Sequence, residues 1–100
     1  MNISTNIKAI DTIKSEILSE VAALYRALAD YDGVGEYDNV ASSISTIIAM
    51  DYILARRLGI SFGAIDNKIT ELLTIAEENG HELEVTFSDM SELKKYVKGR

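Results

Sequence analysis

The chain contains no cysteine, which excludes a disulfide framework and any thiolate metal site. It has no proline and only six glycines in 100 residues, so there is no linker-like stretch and little to interrupt a helix. Tryptophan is absent, and the five tyrosines and two phenylalanines form no stacking platform for nucleic-acid bases. There is a single histidine, His81, set in the acidic stretch Glu78 to Glu84, where a solvated role is expected; no cysteine–histidine pair exists, and a serine–histidine pair would depend on this one residue. Basic residues are scarce: 10 Lys and Arg stand against 16 Asp and Glu, for a net charge of −6. Such a balance repels phosphate backbones, so no DNA or RNA partner is expected. No apolar run reaches the roughly 18 residues needed to cross a bilayer, so no membrane partner is expected. Met1 to Asn6 is polar and lacks a signal-peptide core, and the expected address is cytoplasmic.

What the chain does have is apolar residues, at 47%. A single domain is expected from a length of 100 residues, and a chain this short buries only about two-thirds of its unfolded surface, so its stability is modest. The apolar excess implies that part of a helix surface is covered by another subunit, as a dimer or a tetramer. The apolar positions recur at helical spacing. Ile3, Ile7, Ile10, Ile17, Val21, Leu24 and Leu28 draw one stripe along a first helix from about Thr5 to Ala29, with Lys14 interrupting it. Asp30 to Asn39 contains two glycines and reads as a loop. Val40, Ile44, Ile47, Leu54 and Leu58 then mark a second helix from about Asp38 to Leu58, ended by Gly59.

Ser61 is placed to cap a third helix, Phe62 to Asn79, with Gly80 as its stop. The stretch from His81 to Phe87 alternates like a strand but has no partner strand, so it is expected to be irregular or weakly helical. Asp89 and Glu92 resemble a capping box opening a last helix to about Lys98, docked by Met90, Leu93 and Val97. The expected fold is therefore all-α, an antiparallel helical bundle of two long helices, a third, and a short C-terminal one.

Three acidic groupings could carry chemistry. Asp30, Asp32, Gly35, Glu36 and Asp38 fit positions of a calcium-binding loop, but Val34 and Ala41 replace two ligands. The second of these should be the bidentate carboxylate, so an acidic, solvated turn is the favoured reading. Asp51 falls near the middle of the second helix's apolar stripe, where a carboxylate is expensive to bury alone. It should face a cation, a metal, a seam between subunits or solvent, with Arg26 one possible partner. Glu16 and Glu20, one turn apart on the first helix, could share a divalent cation or simply be solvated.

The segment Tyr52-Ile-Leu-Ala-Arg-Arg-Leu-Gly-Ile-Ser-Phe resembles the short MazG-like family. So do the upstream Lys14-Ser-Glu-Ile-Leu-Ser-Glu-Val-Ala-Ala-Leu-Tyr-Arg-Ala-Leu and the downstream Ile65-Asp-Asn-Lys-Ile, His81-Glu-Leu-Glu and Ser88-Asp-Met-Ser-Glu-Leu. The resemblance covers nearly the whole chain. It implies a helical fold that assembles through dimers, related to all-α nucleoside triphosphate pyrophosphohydrolases. In active members, Glu-Glu-x-x-Glu on one helix and Glu-x-x-Asp on the next hold Mg2+, which grips the triphosphate and helps activate water. Carried onto this chain, the first motif falls on Ser19, Glu20 and Ala23, and the second on Ser43 and Thr46. Only Glu20 keeps its acid.

Three functions follow as expectations. The favoured one is a MazG-like protein with a degenerate metal site and a binding or scaffold role, with a nucleotide as a possible ligand. The alternative is an active Mg2+-dependent pyrophosphohydrolase with rearranged acids, using Glu16, Glu20 and Asp51 for the metal and Arg26 or Arg56 for phosphates. The third is a purely structural helical module. On the favoured reading no residue is assigned as catalytic.

Overall fold

The computed structural model describes residues 3–100, and every regular element in them is a helix: α1 (Ile3–Ala29), α2 (Tyr37–Arg57), α3 (Phe62–Glu78), α4 (Glu82–Phe87) and α5 (Asp89–Gly99). The helix limits follow the sequence signals closely. Ser61 caps α3, its hydroxyl accepting the Ala64 amide at 3.0 Å, as Ser, Thr, Asp and Asn do at helix starts. Gly80 adopts φ +70, a left-handed conformation that glycine takes at no steric cost. The His81 amide then closes on the Ala76 carbonyl at 2.9 Å. Among the described residues, no helix is long and apolar enough to cross a membrane.

The chain groups into two compact units, one running through Gly59 and the other from Ile60 to Arg100. The first is an antiparallel hairpin of α1 and α2. Asn6 donates from Nδ2 to the Arg57 carbonyl at 3.0 Å, satisfying one of the orphan acceptors at the end of α2. Ile13, Ala27 and Ser43 are buried in this unit. Ile13, Glu20 and Ala27 are seven residues apart, so they lie on one line of α1, and that line faces α2. The seam is therefore rotated from the stripe drawn by the isoleucines, of which Ile3 is 77% exposed. The turn between the helices is held by Asp32, whose carboxylate accepts the amides of Val34 at 3.0 Å and Gly35 at 2.6 Å.

In the second unit α5 packs on α3 and α4. Lys94 reaches Glu77 at 2.7 Å and Arg100 reaches Asp66 at 2.9 Å, pinning the two longer helices at two points. Two expectations need correcting here. First, His81 to Phe87 holds a full helix over Glu82–Phe87, because the His81 ring nitrogen Nδ1 caps the Leu83 amide at 3.1 Å. Second, the start of α5 is not a capping box on Asp89. Ser88 occupies the cap position with φ +61 and gives no side-chain cap bond. Glu84, one helix back, instead accepts the Ser91 amide at 2.8 Å and its hydroxyl at 2.9 Å. Of the expected docking residues, Val97 is buried and Met90 half-buried, whereas Leu93 is exposed.

Candidate functional site

Ser19, Glu20, Ala23, Ser43 and Thr46, the positions on which the resemblance places the acid motifs, gather on the α1–α2 seam around Glu20. Ser43 donates from Oγ to Glu20 Oε1 at 2.9 Å, and Ser43 is only 4% exposed. On the loop side of this pair, Glu20, Ala23, Arg26, Ala27, Ser42 and Ser43 line an open cleft of about 350 Å3, together with Asp30, Glu36 and Asn39. On the other side, Ser15, Glu16, Ser19, Glu20 and Thr46 line a second cleft of about 270 Å3. Glu20 is common to both, so it is the hub of the arrangement.

The structure separates the other sequence candidates. Glu16 and Glu20 share the second cleft, but Asp51 is not on it. Asp51 lies two turns further along α2 than Ser43, about 12 Å by helical rise, and is exposed. Among the described residues, no three His, Asp or Glu side chains converge to hold a metal ion. Arg26 lines the first cleft, near the loop, and forms no ion pair with Asp51 among those residues. Arg56 lies about 20 Å along α2 from Ser43, at the opposite end of the hairpin. Ser19, Ala23, Ser43 and Thr46 bring two serine hydroxyls, one threonine hydroxyl and one methyl group to the seam.

Mg2+ binds through hard oxygen ligands and relies on carboxylates aimed at the substrate phosphates. One carboxylate already engaged by a buried hydroxyl, with Glu16 a turn away, does not match that requirement. The electrostatics of the first cleft point the same way. Glu20, Asp30 and Glu36 outnumber Arg26, so a polyphosphate would meet net negative charge there.

Asp30, Glu36, Asn39 and Ser42 were not recognisable as cleft residues from spacing alone. The first two read as loop positions, and only the antiparallel return of the chain brings them beside Glu20. Glu36 opens α2 with φ +67 and accepts the Asn39 amide nitrogen Nδ2 at 2.6 Å. Asp32, the best-placed acid of the calcium-loop reading, is occupied by its own loop. Hydrogen bonds from the Val34 and Gly35 amides hold its carboxyl below the usual aspartate range.

Fold and seam together define an all-α protein built on an antiparallel helical hairpin with a single acid at its centre. The chain belongs to the MazG-like family, whose model matches residues 3–90. No curated protein and no solved structure gives a significant match.

Proposed function

We propose that this MazG-like protein keeps the helical scaffold of its superfamily but not the cation site, and acts by binding rather than by pyrophosphate release. The observation that carries the reading is the Ser43–Glu20 hydrogen bond. The one retained acid accepts from a buried hydroxyl that stands where the second helix would otherwise present a carboxylate. A protein donor occupies one oxygen of the carboxylate that a cation would use, and Ser19, Ala23 and Thr46 add no negative charge, so Glu16 is the only other acid beside Glu20 in the second cleft. A small ligand with hydrogen-bonding groups and no phosphate chain suits the cleft better than a nucleoside triphosphate, because the lining is polar, small-residue and net acidic.

The test is Mg2+-dependent release of pyrophosphate from a panel of ribo- and deoxyribonucleoside triphosphates, with Glu20→Ala run in parallel. The expected result is no release above that variant for any member of the panel. Turnover by the wild-type chain that disappears in Glu20→Ala would overturn the proposal.

A further inference from the structure

With no cysteine in the chain, His81 is its one side chain of a kind that changes charge near neutral pH. It stands at the junction of α3 and α4 and is tied there at three points. Its amide closes the end of α3 on the Ala76 carbonyl at 2.9 Å. Its carbonyl accepts the Glu84 and Val85 amides at 2.9 and 3.0 Å, which begins the helical bonding of α4. Its ring nitrogen Nδ1 accepts the Leu83 amide at 3.1 Å. The backbone bonds involve no titrating group. The ring bond needs a lone pair on Nδ1, so it exists only while the imidazole is neutral and carries its proton on Nε2.

The ring bond matters because α4 is short. Isolated helices below about 12 residues are marginal in water, and α4 has six. The first amides of a helix have no partner within it, and the ring of His81 meets that of Leu83. An imidazolium offers no acceptor at Nδ1, and its positive charge is unfavourable at a helix N-terminus.

The charges around the junction favour an exchange of partners. At the end of α3, Glu77 is paired with Lys94 of α5, while Glu78 is exposed. On α4, Glu84 is bonded to Ser91, while Glu82 is exposed. On the first half of α5, Glu92 is paired with Lys95, which leaves Asp89. The charges that remain are therefore acidic, and two of them, Glu78 and Glu82, lie within three residues of His81. A ring that gains a proton gives up an amide donor and has carboxylate acceptors at hand.

We propose that His81 is a pH-operated latch on the first turn of α4, closed while the ring is neutral and open once it is protonated. Glu84 is the second fastening of α4. Its bond to the Ser91 amide holds its carboxyl below the usual glutamate range, so it lasts to below about pH 4. Mild acid therefore frees Glu82 and Leu83, while Glu84 keeps the segment tethered to α5. Leu83, 42% exposed with the latch closed, is the apolar side chain released.

An NMR titration of the full chain from about pH 8 to about pH 5 tests this. At the upper limit the ring nitrogen shifts should show the proton on Nε2. The Leu83 amide and the Cα shifts of residues 82–84 should then move with the same midpoint as the His81 ring. The closed turn should lose about fivefold in population relative to the open one, the usual effect of a lost helix cap. The Ser91 amide should stay in place throughout. His81→Asn supplies a cap that does not titrate and should keep the turn closed down to about pH 5. His81→Ala should already be open at about pH 8. Circular dichroism confirms that both variants are folded, and the wild-type titration stands without them. A ring proton on Nδ1 at the upper limit, a Leu83 amide that does not follow the ring, or an asparagine variant that responds to pH as the wild type does would each overturn the proposal.

Discussion

Ser43 is almost wholly buried and gives its hydroxyl proton to Glu20, across the seam of a two-helix hairpin, at 2.9 Å. The pair is a structural bond between the two helices of the hairpin, and on the proposed reading it takes the place of a cation site. Ser43→Ala should cost about 1 kcal/mol, the usual net worth of such a bond. Glu20→Ala should cost somewhat more, about 1–2 kcal/mol, because it leaves a buried hydroxyl unpaired. Glu20→Gln keeps an acceptor oxygen and should be the mildest of the three. Urea unfolding of the single variants and of the double alanine variant checks this: the double should lose less than the sum of the singles.

Ser61 holds the start of α3 through one hydrogen bond to the Ala64 amide. Ser61→Ala should destabilise the chain by about 1 kcal/mol, and Ser61→Asp should be tolerated, since aspartate caps equally well. Equal denaturation midpoints for wild type and Ser61→Ala would contradict the assignment.

Glu84 is the acid that fastens α4 to α5. The Ser91 amide, with help from the Ser91 hydroxyl, holds its carboxyl below the usual glutamate range despite some desolvation. A lowered carboxylate pKa means that the folded chain binds this proton more weakly than the unfolded one. The linked stability is present above the unfolded value, about pH 4.3, and is lost as pH falls through the lower folded value. The amide of Ser91 should therefore shift and lose exchange protection only below about pH 4. In Glu84→Gln its resonance should show no such titration.

Asp32 behaves by the same sign in the α1–α2 turn. Its bonds to the Val34 and Gly35 amides are complete at neutral pH and should loosen only below about pH 4, as the carboxyl takes up its proton. Asp32→Asn retains an acceptor oxygen and should keep the turn, whereas Asp32→Ala should broaden the amide resonances of residues 33–35. Calcium added to the wild-type chain should leave those resonances in place, since Val34 and Ala41 stand where two ligands are needed.

The helices were legible because each has local punctuation: Gly59, Ser61 and Gly80 sit within a residue or two of real boundaries. The α4 helix was not, because its cap is a histidine ring and its residues alternate in a strand-like way. The start of α5 was misread for a related reason. Its capping acid, Glu84, lies seven residues upstream of Ser91, beyond any local pattern. The rotation of the hairpin seam was also hidden. Ile3 and Ile7 read as core by periodicity and are exposed, whereas the line that faces α2 sets Glu20 between Ile13 and Ala27, and a carboxylate carries no hydrophobic signal. The positions of the proposed site come only from the family resemblance, since Ser19, Ala23, Ser43 and Thr46 are unremarkable as residue types. That these positions surround Glu20 comes from the antiparallel pairing alone.

The most direct test of the proposed degenerate cation site is a calorimetric titration of Mg2+ into the wild-type chain and into a variant with the four motif acids restored, Ser19→Glu, Ala23→Glu, Ser43→Glu and Thr46→Asp. The account predicts no saturable heat for the wild type up to about 10 mM Mg2+ and saturable binding by the restored variant, because only the latter gathers carboxylates at one seam. Saturable wild-type binding below about 1 mM that is abolished by Glu20→Ala would contradict it.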